Sequence, residues 1–127
     1  MTEKKRIVTN LAPDAIGPYS QAVEVDGMLY CSGQIPLVPD TMELVSDDVE
    51  EQTHQVMKNV KGILTATNRD YSDIVKVMIF LDDMNDFAKV NEIYASYLTK
   101  PFPARSAVEV AKLPKGAKVE IEVIAKK

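Results

Sequence analysis

What this chain lacks narrows its chemistry before any motif is read. A single cysteine, Cys31, among 127 residues rules out an intrachain disulfide. With His54 as the only histidine, there is no second imidazole or thiol to complete an ordinary nitrogen and sulfur metal site, and a Ser-His-Asp triad would have to be built on His54 alone. No glycine-rich phosphate loop is present, which argues against a nucleotide cofactor, and neither Ser20 nor Ser32 carries a nucleophile-elbow signature. The net charge is −4 with the two signs interleaved, so there is no electrostatic footprint for a nucleic acid backbone. The first six residues are basic, but residues 7–13 are too few and too polar for a signal-peptide core or a membrane span, and a cytosolic location is expected. Repeats, low-complexity tracts and linkers are absent. The expectation is one domain, 1–127, large enough to bury roughly two thirds of its unfolded surface.

What is present is strongest near the end of the chain. Residues 103–110 and 118–125 both alternate with period two, the pattern of a strand with one apolar and one charged face. In the first, Ser106, Val108 and Val110 oppose Arg105, Ala107 and Glu109; in the second, Val119, Ile121, Val123 and Ala125 oppose Lys118, Glu120 and Glu122. Arg105 and Glu120 are therefore expected to share one surface. A guanidinium that grips a carboxylate, near a carboxylate that handles a proton or a water, is a minimal kit for chemistry on a small acid. The competing readings are a salt bridge from Arg105 to Glu109, Glu120 or Glu122, and plain solvated strand charges for the two glutamates.

The remaining elements follow from local pattern. A short strand is predicted over 5–8, and runs 20–25 and 28–32 around Asp26-Gly27 read as a hairpin. Residues 34–42, with Pro36 and Pro39, read as a loop. A helix over 47–68 is predicted from Val49, Thr53, Val56, Met57, Val60, Ile63, Leu64 and Thr67 at helical spacing, with Asp47 and Glu50 as a capping box. Residues 73–81 are apolar enough on both faces to lie inside a sheet. A second helix over 85–98 carries the stripe Phe87, Val90, Ile93, Tyr94, Tyr97 and Leu98, with Asp83 as cap and Pro101 and Pro103 beyond its end. The predicted order is β-β-β-α-β-α-β-β, an α+β sheet with both helices on one face. The other face mixes apolar and charged residues and is expected to pack against further subunits.

Three weaker signals complete the inventory. Ser32-Gly33-Gln34 follows a strand and can offer a backbone N–H to an anion, because glycine permits close approach. Tyr19, after the Gly17-Pro18 turn, has a hydroxyl that either reaches a ligand or fills core. Cys31, in an apolar run without basic neighbours, reads as a buried inert thiol.

Taken together, these segments resemble the Rid (reactive intermediate deaminase) family, specifically its RidA subgroup. The resemblance runs from about Ala12 to Ala125. Its blocks are Ala12-Pro13-Asp14-Ala15-Ile16-Gly17-Pro18-Tyr19-Ser20-Gln21, Ser32-Gly33-Gln34-Ile35-Pro36, Glu51-Gln52-Thr53 through Asn59, Asp83-Met84-Asn85-Asp86-Phe87 with Asn91 and Tyr94, Pro103-Ala104-Arg105-Ser106, and Leu113-Pro114-Lys115 with Glu120-Ile121-Glu122-Val123-Ile124-Ala125. It implies a chorismate-mutase-like mixed sheet with two helices on one face, in a homotrimer whose active sites lie between subunits. It also implies a hydrolase that needs no cofactor or metal and acts on small 2-imino acids, a 2-iminobutanoate/2-iminopropanoate deaminase. By resemblance Arg105 is the carboxylate-binding arginine and Glu120 the water-handling glutamate, with Tyr19, Ser32, Gly33 and Asn91 as further substrate-binding positions. Ala107 departs from the family, where many relatives carry a cysteine, so a thiol switch is not expected there. Two other classes remain open at this point, a small-acid-binding regulator of a partner protein and an RNA-cleaving translation inhibitor; the acidic balance and lone histidine argue against the second.

Overall fold

The computed structural model describes residues 3–127. Eight main elements follow the predicted order: β1 (Lys5–Ile7), β2 (Ala22–Val25), β3 (Met28–Cys31), α1 (Val49–Ala66), β4 (Ile74–Leu81), α2 (Phe87–Ser96), β5 (Ala104–Glu109) and β6 (Val119–Ala125). The strands form one mixed sheet in the order β1-β2-β3-β6-β4-β5. Every pairing is antiparallel except β4 with β5, whose connection is α2. As predicted, β4 is an interior strand, hydrogen-bonded on both sides.

Both helices cover one face. Every member of the predicted α1 stripe is buried, as are Val90, Ile93 and Tyr94 of α2 and Leu98 just beyond its end; the apolar α1 residues, Val90, Tyr94 and Leu98 share one core with Leu29, Val77, Ile79, Leu81, Val119, Ile121 and Val123 of the sheet. The caps differ from expectation. Asp48, not Asp47, is the N-cap of α1 and accepts from the Glu51 N–H at 2.9 Å. Asp83 caps a short 3-10 turn, Met84–Asp86, and α2 begins after it at Phe87.

Buried side-chain amides tie the loops near β3 and β6 to this frame. Asn59 of α1 donates to the Ile35 and Leu37 carbonyls, and Gln52 accepts from the Lys118 N–H at the start of β6. Gln21 donates to the Thr9, Ala12 and Pro13 carbonyls and so holds the loop that leads to Tyr19. Arg69, whose side chain is fully buried, pairs with Glu24 at 2.7 Å and donates to the Gly27 and Lys126 carbonyls, joining the hairpin turn to the end of β6. No helix among the described residues is long and apolar enough to cross a membrane.

Candidate functional site

The sheet register separates the two residues that strand alternation had placed together. Arg105 pairs with Val77, which pairs with Val123, so Arg105 lies on the helix-covered face; Glu120 pairs with Phe80 on the open face. Alternation fixes which residues of one strand share a face, and here the charged set of β5 and the charged set of β6 lie on opposite sides. Glu109 goes with Arg105, and Glu122 with Glu120.

Arg105 stands on an edge strand where α2 leaves room beside the sheet. Its guanidinium carbon is 5.3 Å from the Phe87 ring centre and 5.4 Å from that of Tyr94, and Nη1 donates to Asn91 Oδ1. Arg105, Asn91 and Tyr94 line a cleft of about 380 Å³ together with Ala95, Phe102 and Pro103. Among the described residues Arg105 has no carboxylate partner; Glu109 instead accepts from the Met84 N–H at 2.8 Å. The salt-bridge reading of Arg105 is therefore not what the subunit shows. In the sequence Tyr94 and Phe87 belong to the core stripe and to a block of the family resemblance, with no site role assigned. Their spacing around Asn91, four and three residues along one helix face, was the signal that could have found them.

The other predicted positions gather on the open side of the sheet. From Tyr30, opposite Ile124, to Gln34, opposite Ile121, the β3 side holds one more residue than the β6 side. This bulge falls at Ser32-Gly33 and leaves the Gly33 N–H without an acceptor among the described residues. The Glu120 carboxyl lies directly on Gly33: a Cβ there would overlap Oε2 and come within 2.8 Å of Cδ. Burial raises the Glu120 carboxyl above its ordinary range, and the neighbouring Glu122 charge pushes the same way. No cation pairs with Glu120 among the described residues.

Ser32 donates its hydroxyl to the Ser20 carbonyl at 2.6 Å, which braces the loop carrying Tyr19. Tyr19 is 53% exposed and lines both a cleft of about 350 Å³ with Gly33, Ile35 and Lys115 and a wider one of about 750 Å³ with Ser32, Tyr30 and Glu122. Burial pushes the Cys31 thiol up to about 12, so it stays protonated and inert, as its sequence context suggested. His54 has its Nδ1 2.6 Å from the Tyr97 hydroxyl on the outer side of the helices, away from both groups. Among the described residues no three His, Cys, Asp or Glu side chains are grouped to hold a metal.

A family model described as endoribonuclease L-PSP matches residues 9–127. The chain is 51% identical over 122 residues to the 2-iminobutanoate/2-iminopropanoate deaminase of Mus musculus, covering 96% of this chain and 90% of the relative. A solved structure of a conserved Rid family protein of unknown function from Yersinia pestis superposes with a TM-score of 0.96 at 53% identity, over 98% of this chain and 100% of that one. This chain belongs to the Rid family. E. coli TdcF, solved with bound serine, is 44% identical with a TM-score of 0.92, over 97% of this chain and 98% of that one. The Rid family resemblance read from the sequence blocks is thus established by independent comparison, as is the sheet with two helices on one face.

Proposed function

We propose that this Rid protein hydrolyses 2-imino acids, 2-iminobutanoate and 2-iminopropanoate among them, to 2-keto acids and ammonia, in sites formed between the subunits of a homotrimer. The observation that carries the reading is Arg105: an arginine without a carboxylate partner, bracketed by aromatic rings at a cleft mouth, is a receptor for a carboxylate that comes from outside the subunit. Serine in the TdcF structure bears such a carboxylate.

The two groups of residues lie on opposite faces of one sheet, so one subunit alone does not bring them to one substrate. A neighbour's open face set against the Arg105 cleft does. The open face is suited to burial, since Tyr30, Val108, Met78, Phe80 and Ile124 lie there beside the glutamates and the first two are 45% and 39% exposed.

In the composite site Arg105 holds the substrate carboxylate through Nε and Nη2, and the Gly33 N–H is a further donor. This orients C2. Glu120, made more basic by its burial, takes a proton from a water as the water oxygen bonds to C2 of the iminium and the C=N electron pair moves onto nitrogen. Glu120 returns that proton to the nitrogen of the carbinolamine; as the C–N bond breaks and ammonia leaves, Glu120 takes up the proton of the C2 hydroxyl, and the C2–O bond becomes the keto carbonyl. Positioning accounts for most of the acceleration, because the imine already reacts with water unaided.

The family model's name raises RNA cleavage as a second reading, and the net charge of −4 with a lone histidine engaged by Tyr97 speaks against it. To test the function, 2-iminobutanoate generated by a threonine dehydratase is followed with and without this protein. Accelerated decay matched by ammonia release is expected. Binding of 2-oxobutanoate with no acceleration would point to the regulatory alternative, and salt-sensitive RNA binding with cleavage to the nuclease.

A further inference from the structure

Arg105 owes its presentation to one face of α2. An arginine on an edge strand has solvent beside it and the rotamer freedom of a long side chain to lose when it grips a ligand. Here that freedom is already restricted. The guanidinium lies against two aromatic rings, at 5.3 and 5.4 Å, and Asn91 takes one Nη1 hydrogen. Phe87 and Tyr94 are themselves anchored, Tyr94 being buried and Phe87 packed against the core. With Nη1 engaged, the Nε and Nη2 edge is left as the parallel pair that matches a carboxylate. The Tyr94 hydroxyl has no hydrogen-bond partner among the described residues, so its ring is what meets Arg105.

The geometry points to Phe87 and Tyr94 as positioning residues that preorganise Arg105 for bidentate capture of the substrate carboxylate, with Asn91 fixing the rotation of the guanidinium. The inference rests on the reading of Arg105 as the carboxylate clamp. It assigns a role in ligand affinity to two residues that otherwise count as helix packing.

The test uses Phe87→Leu, Tyr94→Leu, the ring-preserving Phe87→Tyr and Tyr94→Phe, and Phe87→Leu combined with Arg105→Ala. Calorimetric binding of 2-oxobutanoate and steady-state kinetics on 2-iminobutanoate are the readouts. Each leucine variant is expected to weaken binding and raise KM about three- to tenfold, the range of a partly exposed cation–π contact. The same variants keep kcat within about twofold, because a carboxylate is gripped equally in ground and transition states. Ring-preserving variants recover the parent values, and Phe87→Leu has no further effect on kcat/KM in the Arg105→Ala background. A loss that persists in that background, or ring-preserving variants as impaired as the leucine ones, would overturn the positioning role while leaving the clamp intact. Arg105→Ala with parent-like affinity for 2-oxobutanoate would overturn the clamp and the inference together.

Discussion

Replacing Gly33 with alanine separates the site from the fold more cleanly than any other single change. The added Cβ would overlap Glu120 Oε2 and sit 2.8 Å from Cδ and 3.1 Å from Cγ, so the carboxyl must move. What it meets is the free end of a flexible side chain, and Gly33 is not among the positive-φ glycines, so its backbone accepts alanine. Stability is then expected to change by no more than about 1 kcal/mol, since alanine also removes unfolded-state entropy worth roughly 0.4–1 kcal/mol. For a domain of this size that is a Tm shift of about 3–6 °C. Activity is far more exposed: on the proposed role of Glu120 in handling the water, displacing its carboxylate by about 1 Å costs on the order of 10²-fold, and the methyl also crowds the Gly33 N–H. The assay pairs 2-iminobutanoate decay with differential scanning calorimetry on the same preparation. A loss near 10² in kcat/KM with Tm shifted by no more than about 6 °C is expected. Parent-like kcat/KM would refute the placement of Glu120 over Gly33 as functional.

The other predictions address charge, proton handling and the frame. Arg105→Lys keeps the charge but loses the planar fork, so most of the activity should go; near-normal rates would remove Arg105 from its role. Glu120→Gln should slow turnover by roughly 10²–10⁴, and Glu122→Gln much less; equal losses would leave the choice between the two carboxylates unsupported. A base must be ionised to act, so kcat/KM should rise with pH along a limb whose midpoint lies above the ordinary carboxylate value of 4.5, and Glu122→Gln, by removing the second cause of the shift, should move that limb to lower pH. Arg69→Met should destabilise by about 2–4 kcal/mol in urea at fixed protein concentration, since it strands two backbone carbonyls and the Glu24 carboxylate. The hydrogen bond from Arg69 is the main cause that holds Glu24 below its ordinary pKa, so this stability is present above the unfolded carboxylate range and fades as pH falls through the folded value. The Met variant should lack that part of the acid limb, and an unchanged acid limb would contradict the assignment.

Local pattern reached most of the fold because each element here states its own period. The α1 stripe is buried residue for residue, and the Asp26-Gly27 turn closes β2 and β3 as expected. Element ends were less legible: competing aspartates at 47 and 48 read alike, and the 3-10 turn after Asp83 has the same composition as the start of a helix. The site was half legible. Tyr19, Ser32, Gly33 and Glu120 do gather, but the Ser32-Gly33 bulge that frees an N–H is a product of pairing with β6, ninety residues away in chain order and silent in local sequence. Arg105 fell on the unexpected face for the same kind of reason. Its strand alternates correctly, yet which alternate set meets the helices is decided by parallel pairing with β4 and by the gap that α2 leaves at the sheet edge. The aromatic bracket was hidden because Phe87 and Tyr94 also satisfy the apolar stripe, and a stripe does not say that one end of it touches a cation.

The central claim is that Arg105 of one subunit and Glu120 of its neighbour serve the same substrate. Subunit mixing tests it most directly. Arg105→Ala and Glu120→Ala proteins, each retaining only a small residual activity alone, are combined in equal amounts, unfolded, refolded together and assayed on 2-iminobutanoate. With random assembly into trimers, a site built across an interface draws both intact residues with a chance of about one quarter, so about a quarter of the parent activity should return. Activity no higher than that of the separate variants, in mixed trimers of normal mass, would contradict the account.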